Sequence, residues 1–365
     1  MSAPSPDAAA IKGFAAVIPA GGVGSRLWPL SSPDRPKFLL DLLGEGRTLL
    51  QATVDRVEPL AEFTMVVTGV RHVAAVGEQL PTLTESDLVA EPSPRDSMAA
   101  IALAAAILER RHGPIVMGSF AADQVIRKPL AFEAAVREAV EVARTGKIVT
   151  IGIEPTGPSE AFGYIEAGEG LGVTARDVAA FTEKPDAHTA AAFIATGRYF
   201  WNAGMFVMRT DVLLGHLERL QPAIAAGVTA LADAWDGPGR DDALAQWWPT
   251  ITKIAIDHAI AEPVAAQGGV AVVPADLDWN DVGDFDSLAS MLTPRADGVV
   301  AVDRGDVTAV RDAPRAVVVG GSRPVVIIGI PDAVVVDSGD ALLVTTRAAA
   351  QQVKEASNMV ANQRL

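Results

Sequence analysis

A short apolar run, Phe14–Ile18, passes straight into Pro19-Ala20-Gly21-Gly22-Val23-Gly24-Ser25-Arg26, and a segment broken by Pro29, Pro33 and Pro36 leads on to Lys37. The run has the length of a buried parallel strand. Three glycines let the backbone turn sharply and bring N–H groups close to a ligand. The prolines forbid a regular helix through the next segment, so Arg26 and Lys37 bracket a held loop carrying two cations. A strand, a glycine turn and two cations at fixed offsets describe a cradle for a nucleoside triphosphate. A purely structural turn with surface cations is the other reading of the glycines. The dinucleotide fingerprint G-x-G-x-x-G fails, because Leu27 stands at its third glycine and prolines occupy its helix. A P-loop fails too, for want of Gly-Lys-Ser/Thr.

The strand-then-helix pattern repeats along the chain. Strands are expected at Phe14–Ile18, Phe63–Thr68, Leu88–Glu91, Pro114–Gly118 and Ile148–Ile153, with helices at Thr48–Leu60, Val70–Leu80, Ser97–Arg111 and Leu130–Thr145 between them. This alternation predicts an α/β fold, a doubly wound and mostly parallel sheet whose ligands sit at the carboxyl ends of the strands. A hairpin is expected from Phe162–Ile165 and Val173–Phe181 with Gly168–Gly172 as its turn, then helices at Asp186–Thr196, Thr210–Ala234 and Asp242–Ala261. Beyond Pro294 come short valine-rich runs at near-regular spacing, which predict a small all-β unit ending in a helix over Ala348–Val360. The expected division is a disordered tail over 1–13, a catalytic domain over 14–294 and a β domain over 295–365.

Several other strings carry chemistry or merely structure. Glu91-Pro92-Ser93-Pro94-Arg95-Asp96-Ser97 leads into an alanine-rich helix, for which Asp96 or Ser97 is a candidate N-cap. Asp123 comes after a buried strand and is either a turn cap or a ligand for Mg²⁺, which takes one or two carboxylates plus phosphate oxygens and water. Lys184 in Phe181-Thr182-Glu183-Lys184-Pro185 reads by itself as a solvated turn residue. Trp201-Asn202-Ala203-Gly204-Met205-Phe206 reads as a strand in which Asn202 would be an unexplained buried cost unless it meets hydroxyls as donor and acceptor. Asp281 in Trp279-Asn280-Asp281-Val282-Gly283 reads by itself as a loop-to-helix residue. Trp235, Trp247 and Trp248 read as packing residues.

Taken in order, these strings resemble the sugar-nucleotide pyrophosphorylases, whose signature is G-G-x-G-x-R-L-x-P-L-(x)n-P-K. The variant Arg26-Leu27-Trp28-Pro29-Leu30-Ser31 is similar to the mannose-1-phosphate guanylyltransferase branch. The resemblance spans nearly the whole chain. Asp96, Ser97 and Gln124 stand where that branch has Asn, Thr and His. The resemblance implies a Rossmann-like nucleotidyltransferase with a β-helix-like C-terminal piece that assists a homodimer. It implies that GTP and mannose 1-phosphate give GDP-mannose and pyrophosphate, with Mg²⁺ on Asp123 and Asp281. The nucleotide would lie on Ala20, Gly21, Gly22, Gly24, Ser25, Arg26, Glu91, Arg95, Asp96 and Ser97. The sugar phosphate would lie on Gly163, Tyr164, Glu183, Lys184, Asn202 and Gly204, and Arg26, Lys37 and Lys184 would be the catalytic cations. Other readings are a sister enzyme for another pair such as glucose 1-phosphate, a non-catalytic GDP-mannose-binding regulator, and a nicotinamide-dependent oxidoreductase, which Leu27 and the prolines disfavour.

Composition removes other classes. The 365 residues contain no cysteine, so disulfides, thiolate nucleophiles and cysteine zinc sites are out. Five histidines are scattered without metal-ligand spacing. A net charge of −15 argues against a nucleic-acid or anionic-membrane surface, so a polyphosphate needs a local cation cluster. No signal peptide or spanning segment is expected, which predicts a cytoplasmic protein.

Overall fold

The computed structural model describes residues 9–295, 298–302, 308–320 and 323–363; the expected tail over 1–13 lies largely outside them. The contacts divide the chain into two compact units. Of the described residues, the first holds 9–21, 53–122 and 126–279, and the second 22–52, 123–125 and those from 280 onward.

The strands of the first part of the chain are β1 (Ile11–Ala20), β2 (Ala61–Gly69), β3 (Leu88–Glu91), β4 (Val116–Ser119), the two-residue β5 (Val125–Ile126), β6 (Ile148–Ile153), β7 (Tyr164–Gly170), β8 (Arg176–Thr182), β9 (Tyr199–Arg209), β10 (Val270–Pro274) and the two-residue β11 (Trp279–Asn280). Among the described residues of the first unit, nine strands form one sheet in the order β3-β2-β1-β4-β9-β6-β10-β8-β7. The β3-β2-β1-β4 half is parallel throughout, so its carboxyl ends share one edge. β9 then runs antiparallel between β4 and β6, and β7 and β8 close the far side as an antiparallel hairpin. The sheet is therefore more mixed than strand-helix alternation alone predicts.

Alternation along β1 explains its burial on both faces. Ala15 and Val17 join a core with the helix Asp96–His112, whose residues 98–108 are all buried, and with the helices Thr210–Leu220 and Pro222–Ala234. Phe14 faces the other way, edge-on to Phe120 at a 6.5 Å centroid distance, and Phe120 meets Phe132 of the helix Pro129–Ala143 at 5.5 Å. Helices thus cover both faces.

Two expected helices prove broken. Pro222 lacks the N–H a helix interior needs and starts a new helix, so 210–234 is two helices. Pro249 likewise limits the next helix to Arg240–Trp247, and the chain resumes as a π-helical turn, Asp257–Ala261. Among the described residues no helix is long and apolar enough to cross a membrane.

In the second unit the valine runs become β12 (Val300–Val302), β13 (Thr308–Arg311), β14 (Val317–Val319), β15 (Val325–Ile328), β16 (Ala333–Asp337) and β17 (Leu342–Thr346). Val300 pairs with Val317 and Val317 with Val334, while Thr308 pairs with Val325, all in parallel with a 17-residue step. Equal parallel steps in two sheets make rungs of a β-helix, capped by antiparallel β17. Val317 and Val319 point into one apolar cluster and Val318 into another, which accounts for continuous valine where one-sided strands would alternate. The first of these clusters also holds Leu27, Leu40, Leu42 and Leu49 from the segment around the proline-rich loop.

Candidate active site

The glycine turn is shaped by the lysine beyond it. Gly24 has φ +75°, and a Cβ there would lie 2.7 Å from Cβ of Lys37, so only glycine fits. Leu27 N–H donates to the Gly24 carbonyl at 2.8 Å, Ser31 Oγ donates to it at 2.5 Å, and Lys37 N–H donates to the Val23 carbonyl at 3.1 Å. Leu27 is fully buried and anchors the loop. This clamp carries the Lys37 side chain beneath the turn, where only 8% of the residue is exposed.

Lys37 Nζ pairs with Asp123 Oδ2 at 2.9 Å and donates to the Asp281 backbone carbonyl at 2.7 Å, leaving one N–H for an anion. Arg26 differs: it is exposed and has no partner among the described residues. The two cations expected on this loop are both there, Lys37 clasped and Arg26 exposed.

Asp281 is delivered by a strained turn. Val282 sits at φ +50°, a region costly for a β-branched residue, yet its side chain is fully buried. Asn280 Oδ1 accepts the Val282 N–H at 2.8 Å, and Asp284 caps the helix Phe285–Met291 by accepting Ser287 N–H at 2.8 Å. Burial raises the Asp281 pKa; Lys37 opposes this, and the like charges of Asp123 and Asp284 add to it. A Cβ on Gly283 would stand 3.0 Å from Asp281 Oδ2. Two crowded carboxylates with glycine on their open sides fit a hard divalent cation. Among the described residues no group of three such ligands exists, so Mg²⁺ here would draw its other ligands from phosphate and water.

The remaining residues lie in the first unit. Ala20 ends β1, and its carbonyl accepts Thr68 Oγ1 at 2.7 Å; Gly21 comes next, exposed. Glu91 ends β3 with 6% exposure, its Oε1 buried without a hydrogen-bond partner and Oε2 3.9 Å from where a Gly21 Cβ would be. Burial pushes its pKa up to about 7. An orphaned buried carboxyl beside a glycine turn is what a donor-rich ligand would satisfy.

Neither expected N-cap caps the helix Asp96–His112. Asp96 has φ +66° and accepts the adjacent Ser97 N–H at 2.9 Å, while Ser97 Oγ accepts the Ile256 N–H at 3.0 Å. Arg95 Nη2 donates to the Pro249 carbonyl at 3.2 Å, and Trp248 Nε1 donates to the Ser93 carbonyl at 2.9 Å. Segment 248–256 therefore braces the whole Glu91–Ser97 loop, and Trp248, expected only to pack, also orients it.

Gly163 is buried, and a Cβ there would meet Glu183 Oε2 at 2.5 Å. Its carbonyl accepts the Asn202 N–H at 2.8 Å. Tyr164 is fully buried, and its hydroxyl accepts the Ser159 N–H at 2.9 Å, so its part is to hold that loop. Lys184, at φ +46°, is exposed and its Nζ turns back on the Glu183 carboxylate. Asn202 Oδ1 accepts from Thr150 Oγ1 at 2.8 Å and from Gly204 N–H at 3.1 Å, and its Nδ2 donates to Asp257 at 2.8 Å. Asp257 was not among the expected residues. Its pKa is pushed up to about 6, by burial first and then by the Glu183 charge.

The chain is matched from 15 to 295 by the nucleotidyl transferase family and from 305 to 358 by the MannoseP isomerase/GMP-like beta-helix domain. It is 40% identical to the xanthan biosynthesis protein XanB of Xanthomonas campestris pv. campestris, over 94% of this chain and 72% of that protein. It is 37% identical to the mannose-1-phosphate guanylyltransferase of Escherichia coli K12, over 93% of this chain and 72% of that one. The crystal structure described as mannose-1-phosphate geranyltransferase from Thermus thermophilus superposes with a TM-score of 0.83 at 30% identity, covering 95% of this chain and 99% of that one. A glycine turn folded over a clasped lysine, two crowded carboxylates and a match across most of the length agree: this chain belongs to the nucleotidyl transferase family.

Proposed function

We propose that the chain is an enzyme that joins mannose 1-phosphate to GTP, giving GDP-mannose and pyrophosphate. The observation that carries the substrate choice is the likeness, over more than nine-tenths of the chain, to relatives bearing that activity in their names. An oxygen of the sugar 1-phosphate attacks the α-phosphorus; the new P–O bond forms as the bond from the α-phosphorus to the bridging oxygen breaks, and pyrophosphate carries away the electron pair. The second pKa of a phosphate monoester is about 6, so the nucleophile is already ionised near neutrality and no side-chain base is needed. The protein's task is to bring two polyanions together and neutralise them.

Backbone N–H groups of the 21–25 turn and the free guanidinium of Arg26 hold the triphosphate, and Lys37 offers its remaining N–H. Glu91, Arg95, Asp96 and Ser97 face the nucleoside. Glu183, Asn202, Gly163 and Gly204 take the sugar, and Lys184 leaves Glu183 to bind the incoming phosphate. Asp123 and Asp281 would hold Mg²⁺, which when bound screens charge on phosphate oxygens. We extend the same reading to a cytoplasmic homodimer.

The test is pyrophosphate release with Mg²⁺ across GTP, ATP, UTP, CTP and dTTP, each with mannose 1-phosphate or glucose 1-phosphate. Release confined to GTP with mannose 1-phosphate is expected. Release with a different pair overturns the substrate assignment and leaves the chemistry intact.

A further inference from the structure

The amide of Asn202 has its orientation fixed from three sides. Gly204 N–H can only donate, so the atom 3.1 Å from it is the oxygen. The carboxylate of Asp257, 2.8 Å from the other amide atom, requires nitrogen there. Thr150 Oγ1, itself fully buried, donates into the second lone pair of that oxygen at 2.8 Å. Both acceptor sites of Asn202 are therefore occupied and one of its two N–H groups is taken by Asp257. Asn202, which its residue type allows to be donor and acceptor at once, can offer a ligand one donor.

Asp257 belongs to an irregular turn with a second carboxylate. The Glu262 N–H donates to the Asp257 carbonyl five residues back, the hydrogen bond of a π-turn. In an α-helix, residues five apart diverge by about 140°. The wider turn lets both carboxylates serve one region: Asp257 takes the Asn202 side chain, and Glu262 Oε1 accepts the backbone N–H of Glu183 at 3.1 Å. His258 Nδ1 steadies the other oxygen of Glu262 at 2.9 Å. π-turns cluster where function has kept an inserted residue.

We propose that the π-turn over Asp257–Glu262 is a positioning device for the sugar site: Asp257 fixes Asn202 as a single donor to a hydroxyl oxygen of the sugar phosphate, and Glu262 fixes the backbone that carries Glu183. This rests on the reading of Asn202 and Glu183 as sugar-contacting residues. Asp257 itself touches no substrate.

The experiment measures KM for each substrate separately in wild type, Asp257→Ala, Asp257→Asn, Asn202→Ala and the Asp257→Ala/Asn202→Ala double variant. Asp257→Ala is expected to raise KM for mannose 1-phosphate by about 10- to 100-fold, the range for losing a charge-assisted hydrogen bond, with KM for GTP within about twofold. Asp257→Asn should recover most of the loss, since its side-chain oxygen can accept the same bond, and it serves where the alanine variant fails to fold. The double variant should be no worse than Asn202→Ala alone. Equal rises in both KM values, or strict additivity, overturn the proposal. A second readout needs no turnover: hydrogen exchange at the Asn202 side-chain amide should show one protected proton in wild type and none in Asp257→Ala, and two fast protons in wild type refute the fixed amide. Wild-type inactivity with every sugar phosphate, alongside a protected proton, would remove the functional reading and leave the positioning geometry standing.

Discussion

Arg26 and Lys37 carry the same formal charge, but their surroundings set different consequences for removing them. Arg26 is exposed and without a partner among the described residues, so Arg26→Ala should leave the melting temperature within experimental scatter and lower kcat/KM by about 100-fold or more. Lys37 lies between Asp123 and the Asp281 carbonyl with its side chain 10% exposed. Lys37→Met leaves the half-buried Asp123 carboxylate without its ion pair and removes a charge that favours ionised Asp281, so it should lose activity and also about 1–3 kcal/mol of stability, read by urea unfolding without divalent cations. Equal stability of the two variants would contradict this division of labour. Glu91 gives the residue-scale pH prediction. Its pKa rises on folding from 4.5 to about 7, so the folded state holds the proton more tightly. That contribution is complete below about pH 4.5, is lost as pH rises toward 7, and stays lost above it. Glu91→Gln removes the penalty, so it should melt higher than wild type at pH 8, by up to roughly 3 kcal/mol in stability, with the gap closing near pH 4. A gap that does not change with pH would mean that Glu91 is not desolvated in solution.

At the scale of elements, legibility depended on whether the signal was local. Strands at β1, β3 and β6 and the helix beginning near Asp96 announce themselves by period and composition, and the turn Gly21–Gly24 by its glycines. The antiparallel insertion of β9 between β4 and β6 is a pairing choice made across the fold, and no window of sequence contains it. The π-turn hides for a related reason: its single extra residue blurs the 3.6 period, and Asp257 and Glu262 acquire meaning only against Asn202 and Glu183, more than fifty residues away. Arg26, Lys37, Asp123 and Asp281 could be named because their neighbours form recognisable strings, yet no string told that Lys37 would be clasped and Arg26 free. Two glycines turn this into a test of elements. Gly24→Ala forces a Cβ against the Lys37 stem at φ +75°, and Gly163→Ala forces one to 2.5 Å from Glu183 Oε2. The first should raise KM for GTP and the second KM for mannose 1-phosphate, each by about tenfold or more, with the other constant changed far less. Crossed or equal effects would break the assignment of the two motifs to two substrates.

For the whole molecule, the consequential fact is where the valine-rich C-terminal strands place their apolar side chains. The β-helix-like piece is expected from the resemblance to assist a homodimer. Its inward residues Val317, Val319, Val334 and Val336 also share a core with Leu27, Leu40, Leu42 and Leu49, the residues on either side of Lys37. The helix Val353–Gln363 packs on the short turn Ser25–Leu27. Leu27 holds the glycine turn from below, so anything that loosens this core loosens the clamp that keeps Lys37 under Gly24. Burying a valine contributes about 1.5–3 kcal/mol, so Val317→Ala with Val334→Ala should weaken this unit by a few kcal/mol while the nine-stranded sheet keeps its own core. The double variant should therefore raise KM for GTP, increase hydrogen exchange across residues 22–40, and leave exchange in β1–β4 at wild-type rates. If the variant only changed the oligomeric state, with KM for GTP and exchange over 22–40 unaltered, the β-helix would be an appendage. The 17-residue rung supports the first outcome, because a repeat that stacks valine on valine presents its apolar face at a constant position, which a fixed loop needs from its support.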